Sequence, residues 1–252
     1  MKRILIAGAF ALASLVPALA ADLPPPMPAP PPPRAPAVYM PAPPPIYNWT
    51  GFYVGINGGY GFGTASTSST TAGSTLPASL GGVSGNLTGP LAGGTVGFNY
   101  QWSSIVLGLE GDFDWSNQSR STSFNCVVCG GTVNENYKLP WVSTARARVG
   151  YAFDRILIFG TGGLAYSNVT SNPTYSGGSL WNMSSWTAGW VAGGGAEVAL
   201  APNWTAKAEY LFAQTKPTLN GSLNTAVGGT VSQKGTINDN LARAGINYKF
   251  AF

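Results

Sequence analysis

From Thr50 onward, apolar and polar residues alternate with a period of two in eight separate stretches. That period puts one register on each face of a β-strand. The last stretch, Leu241–Phe252, is the plainest. Ala244, Ile246, Tyr248, Phe250 and Phe252 form one register, increasingly aromatic toward the chain end, while Arg243, Gly245, Asn247 and Lys249 form a small or polar one. The first stretch interleaves Phe52, Val54, Ile56, Tyr60 and Phe62 with Tyr53, Gly55, Asn57, Gly59 and Gly61. Ala92–Tyr100, Ile105–Trp115, Leu139–Tyr151, Thr187–Leu200 and Trp204–Phe212 repeat the pattern. Ile156–Tyr166 begins with a continuous apolar run, so its alternation does not settle which residues face which way.

The connections predict the topology. Long polar segments, about residues 64 to 89, 116 to 138, 167 to 186 and 213 to 239, read as loops. They alternate with tight turns at Trp102-Ser103-Ser104, Phe153-Asp154-Arg155 and Ala201-Pro202-Asn203. Long loops at one end and short turns at the other describe an up-and-down barrel with both chain ends on the short-turn side. Stretches of roughly 9 to 13 residues suit a tilted strand that crosses a bilayer. The aromatics give a second indication. Trp49, Tyr100, Tyr151, Phe153, Trp204, Tyr248, Phe250 and Phe252 gather at the short-turn end. Phe62, Trp115, Trp141, Trp190, Tyr210 and Phe212 gather toward the other. Two girdles around an aliphatic and glycine-rich middle mark two membrane–water interfaces. A soluble barrel would keep its charges outside, whereas here the charges share the register of the glycines. The expected fold is all-β: an eight-stranded antiparallel up-and-down transmembrane β-barrel.

The N-terminus sets the compartment. Lys2 and Arg3, an apolar run from Ile4 to Val16, and Ala18-Leu19-Ala20 have the form of a secretory signal peptide cut after Ala20. Residues 22 to 46 then hold thirteen of the twenty prolines. Such a segment samples extended polyproline II, which predicts a disordered periplasmic leader over 21–46 and a barrel over 47–252. The leader reads as a spacer, with a tether to cell-wall material or to a periplasmic protein as the alternative. Only 9% of residues are charged and 34 are glycine, far from the composition of a soluble domain, where about a quarter are charged. Removing Lys2 and Arg3 leaves eleven basic residues against nine acidic ones. No basic run survives, so no nucleic-acid partner is expected.

Several short motifs carry a family resemblance: Pro45-Ile46-Tyr47-Asn48-Trp49-Thr50-Gly51-Phe52-Tyr53-Val54-Gly55, Gly108-Leu109-Glu110-Gly111-Asp112, Ala147-Arg148-Val149-Gly150-Tyr151-Ala152, Gly160-Thr161-Gly162-Gly163-Leu164-Ala165-Tyr166, Ala208-Glu209-Tyr210 and Asn247-Tyr248-Lys249-Phe250. With the signal and the proline-rich leader, they resemble the small outer-membrane barrels of alphaproteobacteria, the porin-family or outer-membrane immunogenic proteins. The resemblance covers the whole mature chain and is specific to the barrel, not to an activity. It implies residence in the outer membrane of a Gram-negative cell, among outer-membrane lipid and lipopolysaccharide. It also implies delivery by the barrel-assembly machinery, for which the terminal aromatics Tyr248, Phe250 and Phe252 are the assembly signal. The roles it implies are envelope integrity, surface antigenicity and, in some members, small-solute passage.

The inward register of the stretches contains Glu110, Asp112, Asp114, Arg146, Arg148, Glu197, Lys207, Glu209 and Arg243. An eight-stranded barrel is just wide enough for side chains to fill. A lone buried charge costs several kcal/mol in order of magnitude, so these groups are expected to pair as a lumenal ion-pair network. Glu110 and Asp112 would face Arg146 and Arg148 on the next strand. The alternative is a charged constriction along a narrow solute or ion path. Cys126 and Cys129 form C-x-x-C in the second long loop, where a small local disulfide or a pair of free thiols is expected. The chain contains no histidine. That removes Ser-His-Asp hydrolysis, the usual four-ligand zinc site and histidine-ligated haem. No catalytic, metal or cofactor site is predicted, and no enzyme. The leading expectation is a structural envelope protein, with a narrow pore and a loop-based adhesin or receptor as alternatives.

Overall fold

The computed structural model describes residues 47–75, 79–126, 131–175, 178–223 and 228–250. The expected signal peptide and leader, Cys129 and the terminal Phe252 lie outside those residues. Ten strands follow one another: β1 (Gly51–Ala72), β2 (Ser79–Trp102), β3 (Ile105–Cys126), β4 (Gly131–Phe153), β5 (Ile156–Tyr175), β6 (Gly178–Ser179), β7 (Met183–Ala199), β8 (Trp204–Thr215), β9 (Thr218–Ser222) and β10 (Thr230–Lys249). Eight of them form a ring in the order β1-β2-β3-β4-β5-β7-β8-β10, and β10 returns to pair with β1. β6 pairs with the end of β5, and β9 pairs with the upper part of β10 beyond the end of β8. Every pairing is antiparallel, so the fold is the expected eight-stranded up-and-down barrel.

The closing ladder runs from Tyr53↔Lys249 through Ile56↔Ile246 to Ala72↔Thr230. It leaves no unpaired edge in the ring, which is the condition for a sheet to stand in lipid. The short turns fall where the sequence places them. Ser103 and Asp154, at φ +55° and +53°, open two-residue turns, and the Gln101 amide donates to the Ser103 carbonyl at 2.8 Å. The lipid-facing register is also as expected, with Ile56, Leu109, Val149 and Ile246 exposed around the belt. Register with β4 and β7 settles the ambiguous stretch: Ile156, Ile158, Leu164 and Tyr166 face out, and Leu157, Phe159 and Ala165 face in. Aromatic contacts such as Tyr151–Phe153 (4.6 Å) and Trp204–Tyr248 (5.1 Å) build the inner girdle. Phe113–Trp141 (5.0 Å) and Trp190–Phe212 (5.3 Å) build the outer one. Trp49 is a correction: it is 1% exposed and turned into the barrel mouth, not out toward lipid.

The four long connections are a larger correction. Most of their residues continue the strands, which reach 24 residues in β2. The alternation persists, but the faces exchange character. Above the outer girdle, Ser66, Asn86, Ser121 and Asn134 face out while Leu87, Val133, Val169 and Ile237 face in. One register of β10 makes the change visible: Val231, Ile237 and Leu241 lie inside above Arg243 and Asn247, all of them buried. Past the membrane the solvent outside is water, so the apolar face must turn inward. The outer wall is laced by cross-strand hydrogen bonds such as Ser121 to Asn136 (2.7 Å) and Ser123 to Asn134 (2.7 Å). Within β4 the register shifts between Lys138 and Trp141, at Pro140, which has no N–H to give to the ladder. The shift lets Leu139 face in and Trp141 face out two residues later.

Residues 86 and 87 test this placement. Leu87→Ala is expected to destabilise the folded barrel by about 2–5 kcal/mol, as for a fully buried leucine, and Asn86→Ala by no more than about 0.5 kcal/mol. Denaturant unfolding of the lipid-refolded variants measures both. Equal, negligible effects would mean that this segment is a solvated loop.

Candidate functional site

The inward positions of β3, β4, β7, β8 and β10 converge in the membrane-spanning part of the lumen. Alternation places Glu110, Asp112 and Asp114 on β3, Arg146 and Arg148 on β4, Glu197 on β7, Lys207 and Glu209 on β8, and Arg243 on β10. Ladder register sets three opposite-charge pairs directly across from each other: Glu110↔Arg146, Glu197↔Lys207 and Glu209↔Arg243. The structure gathers all nine residues into one network, and their side chains are no more than 3% exposed.

Arg146 donates from Nη1 to Glu209 Oε2 at 2.9 Å and from Nη2 to Asp112 Oδ2 at 2.8 Å and to Glu110. Arg148 reaches Glu197 Oε2 at 2.7 Å and Glu110 Oε2 at 3.2 Å. Arg243 joins Asp112, Asp114 and Glu209, the last at 2.7 Å. Lys207 Nζ lies 2.8 Å from Glu110 Oε2 and 3.5 Å from Glu209 Oε1. The Arg146–Glu209 and Arg243–Asp112 pairs span strands that are not neighbours in the ring, so the network braces the barrel across its lumen as well as around it. Charge-assisted, multidentate arginine contacts of this kind offset the cost of taking the ions out of water.

Neutral side chains complete the network, and the sequence reading had not singled them out. The Tyr53 hydroxyl donates to Glu110 Oε2 at 2.7 Å, and Thr144 donates to Asp112 Oδ2 at 2.7 Å. Thr205 and Asn247 donate to Glu197 Oε1 at 2.5 and 2.9 Å. The Arg148 guanidinium lies over the Phe159 ring at 4.4 Å from its centroid. Membership of the inward register was the available signal for all of them. Gly97 is inward too, and a Cβ there would run into the Tyr53 ring, so its lack of a side chain is what admits the tyrosine beside Glu110.

Packed layers lie on both sides of the network. At the periplasmic end the segment before β1 turns into the mouth and buries Tyr47 and Trp49 against Val106, Leu157 and Ala199. Its backbone is pinned by Tyr47 N–H to Asp154 Oδ1 (3.1 Å) and Trp49 N–H to Gln101 Oε1 (2.7 Å). The Trp49 indole donates to the Asp154 carbonyl at 3.1 Å. Lys249 donates to the Asn48 carbonyl and sits 4.4 Å from the Tyr47 ring centroid. Toward the outside, Gln118 donates to Asp239 at 3.0 Å. Beyond them an apolar core fills the upper lumen with Leu87, Leu139, Leu211, Leu219 and Ile237. Tyr248 and Phe250 of the closing motif lie on the lipid-facing side of the inner girdle. Cys126 ends β3.

Arg243→Ala would leave Asp112, Asp114 and Glu209 without their shared cation. It is expected to cost about 3–5 kcal/mol, against about 1–2 kcal/mol for Lys249→Ala, whose half-buried ammonium meets the Asn48 carbonyl and the Tyr47 ring. Unfolding of the two variants in lipid would show this, and equal losses would argue against a network that acts as a brace.

Comparison with known proteins gives the family. Residues 35–250 match the family described as outer membrane protein beta-barrel domain. The chain is 34% identical over 210 residues to a 31 kDa outer-membrane immunogenic protein of Brucella melitensis, covering 81% of this chain and 85% of that protein. It is 31% identical over 206 residues to a 25 kDa outer-membrane immunogenic protein of Brucella abortus, covering 81% and 80%. Among solved structures, Neisserial surface protein A is similar at 14% identity and a TM-score of 0.39, over 80% of this chain and 98% of that one. The protein thus belongs to the outer-membrane β-barrel family and resides in the outer membrane.

Proposed function

We propose that the protein is a structural component of the outer membrane: a closed barrel that binds lipid around its belt and presents a rigid polar wall to the exterior. The observation that carries this reading is the filled lumen. A passing solute would have to displace the Tyr47–Trp49 stopper, separate the ion pairs and then cross an apolar core. Each base of the network already contacts at least two carboxylates, so the network offers no free cation to a passing ion.

The relatives' designation as immunogenic proteins supports the outward presentation of the upper barrel. What it presents is strand surface rather than mobile loop, because the Ser, Thr and Asn side chains there are held by cross-strand hydrogen bonds. The partners that suit this reading are outer-membrane lipid, lipopolysaccharide, the barrel-assembly machinery acting on the C-terminal aromatics, and the cell wall by way of the proline-rich leader. An envelope protein needs no catalytic residues, and the lumenal charges serve as braces.

Planar-bilayer recording of the refolded protein tests the closed lumen. The wild type is expected to be electrically silent. Reproducible single-channel steps that change on Arg146→Ala or Glu110→Ala would overturn the reading in favour of a narrow pore.

A further inference from the structure

On one face of the barrel three kinds of surface stand one above another. In the belt, the outward residues of β7, β8, β10 and β1 include Gly194, Ala206, Ala208, Ala242, Ala244 and Gly58. They leave two adjoining apolar troughs of about 820 and 670 Å³ that share Gly58, Ala208 and Ala244. Phe62 and Tyr210 meet above them with ring centroids 6.3 Å apart, and the Tyr210 hydroxyl donates to Asn240 at 2.6 Å. Above this sill the same seam becomes polar. A groove of about 360 Å³ is lined by Ser66, Ser68, Lys234 and Thr236. Farther out on β1, β9 and β10 lies a second groove of about 390 Å³, lined by Thr70, Asn220, Ser222, Thr230 and Ser232.

Above the belt, charge is placed unevenly. Among the described residues above the outer girdle, the acids are Glu135 and Asp239, 5% and 4% exposed. The exposed charges there are Lys138, Lys216 and Lys234, all cationic. Lys234 pairs in register with Thr218, and the Gly235 N–H donates to the Pro217 carbonyl. Lys216 and Lys234 are therefore diagonal neighbours on one outer face, within about 8 Å by strand geometry. Lys216 is four residues beyond Phe212 of the girdle, on the order of 10 Å along the membrane normal for a tilted strand. That is the headgroup zone of the outer leaflet, within reach of flexible lysine stems.

We propose that the β8–β10–β1 face binds one phosphorylated glycolipid of the outer leaflet lengthwise, with acyl chains in the small-residue trough, phosphate at Lys216 and Lys234, and sugars along the hydroxyl-lined grooves. The order of the three surfaces matches the order of the three parts of such a lipid. The lysine pair suits a phosphate because no exposed acid competes for it. Ser, Thr and Asn side chains suit sugar hydroxyls, and outward alanine and glycine leave depth for alkyl chains. The assignment rests on the reading of the upper barrel as a wall standing among surface glycolipids.

The refolded full chain in detergent, titrated with purified lipopolysaccharide and followed by native mass spectrometry, tests it. One glycolipid is expected to remain on each wild-type barrel. Lys216→Gln with Lys234→Gln is expected to weaken retention on the order of tenfold or more, and enzymatic removal of the lipid's phosphates should do the same to the wild type. Ala242→Phe, which fills the trough, should also weaken it, whereas Lys138→Gln on another strand should not. Unchanged retention by the double lysine variant, an equal loss in Lys138→Gln, or a lipid-free dimer of barrels would overturn the proposal. Heat-modifiable gel migration confirms that each variant is folded. The bilayer recordings address the closed lumen separately, so either idea can fail without the other.

Discussion

Closure of the ring is the constraint on which the rest of the molecule depends. Lipid offers no hydrogen-bond partner to a backbone amide, so a sheet can enter it only if its last strand pairs with its first. Here β10 pairs with β1 over twenty positions, from Tyr53↔Lys249 to Ala72↔Thr230. Closure in turn fixes an inside and an outside for every strand. Once Ile246 and Tyr248 face lipid, Arg243 and Asn247 must face the lumen, and ladder register carries that choice around all eight staves. The ion-pair network follows from it, because the inward positions of five strands then meet in a space too narrow to leave their charges apart.

The second organising fact is the change of solvent along the barrel axis. Within the belt, apolar side chains face out and charges face in. Above the outer girdle, water surrounds the wall, so Ser, Thr and Asn face out and Leu, Val and Ile face in. The lumen is thus layered from the periplasm outward: an aromatic stopper at Tyr47 and Trp49, the charged brace, and an apolar core. The layers support one another. The stopper and the apolar core surround the brace with packed side chains and so strengthen its ion pairs, and the brace holds the staves at the spacing that the core needs.

On the proposed structural role, the outer surface is the working part of the molecule. The belt meets lipid, the upper wall meets the exterior, and the β8–β10–β1 face joins the two through a small-residue trough, a lysine pair and a polar furrow. Along this face β10 carries only alanine, asparagine, threonine and serine beside Lys234 on its outward register between Ala244 and Ser232. The taller aromatics Phe62 and Tyr210 stand on the strands to either side. A low strand between two higher ones makes a groove without any loop.

Much of this was legible before the structure. Alternation gave the eight crossings, the outward belt and the nine inward charges, because a strand's period of two is strictly local. The short turns at Ser103 and Asp154 were equally local. The reading went wrong where the meaning of a period depends on its surroundings. The stretches around Leu87, Val133 and Val169 alternate as regularly as the belt, but their apolar face points the other way, and glycine, serine and threonine made them look like loops. Trp49 was placed with the girdle because its aromatic character says nothing about which side of the wall it occupies. By itself, then, the sequence determined that the chain is a membrane barrel with a charged interior, since backbone satisfaction in lipid and side-chain alternation require nothing distant. Only the tertiary structure decided how far the staves extend beyond the membrane, which partners each charge takes across the lumen, and that aromatic and apolar layers pack on either side of those charges. Those features depend on which solvent or which opposite strand a residue meets, and that is fixed only when the ring closes.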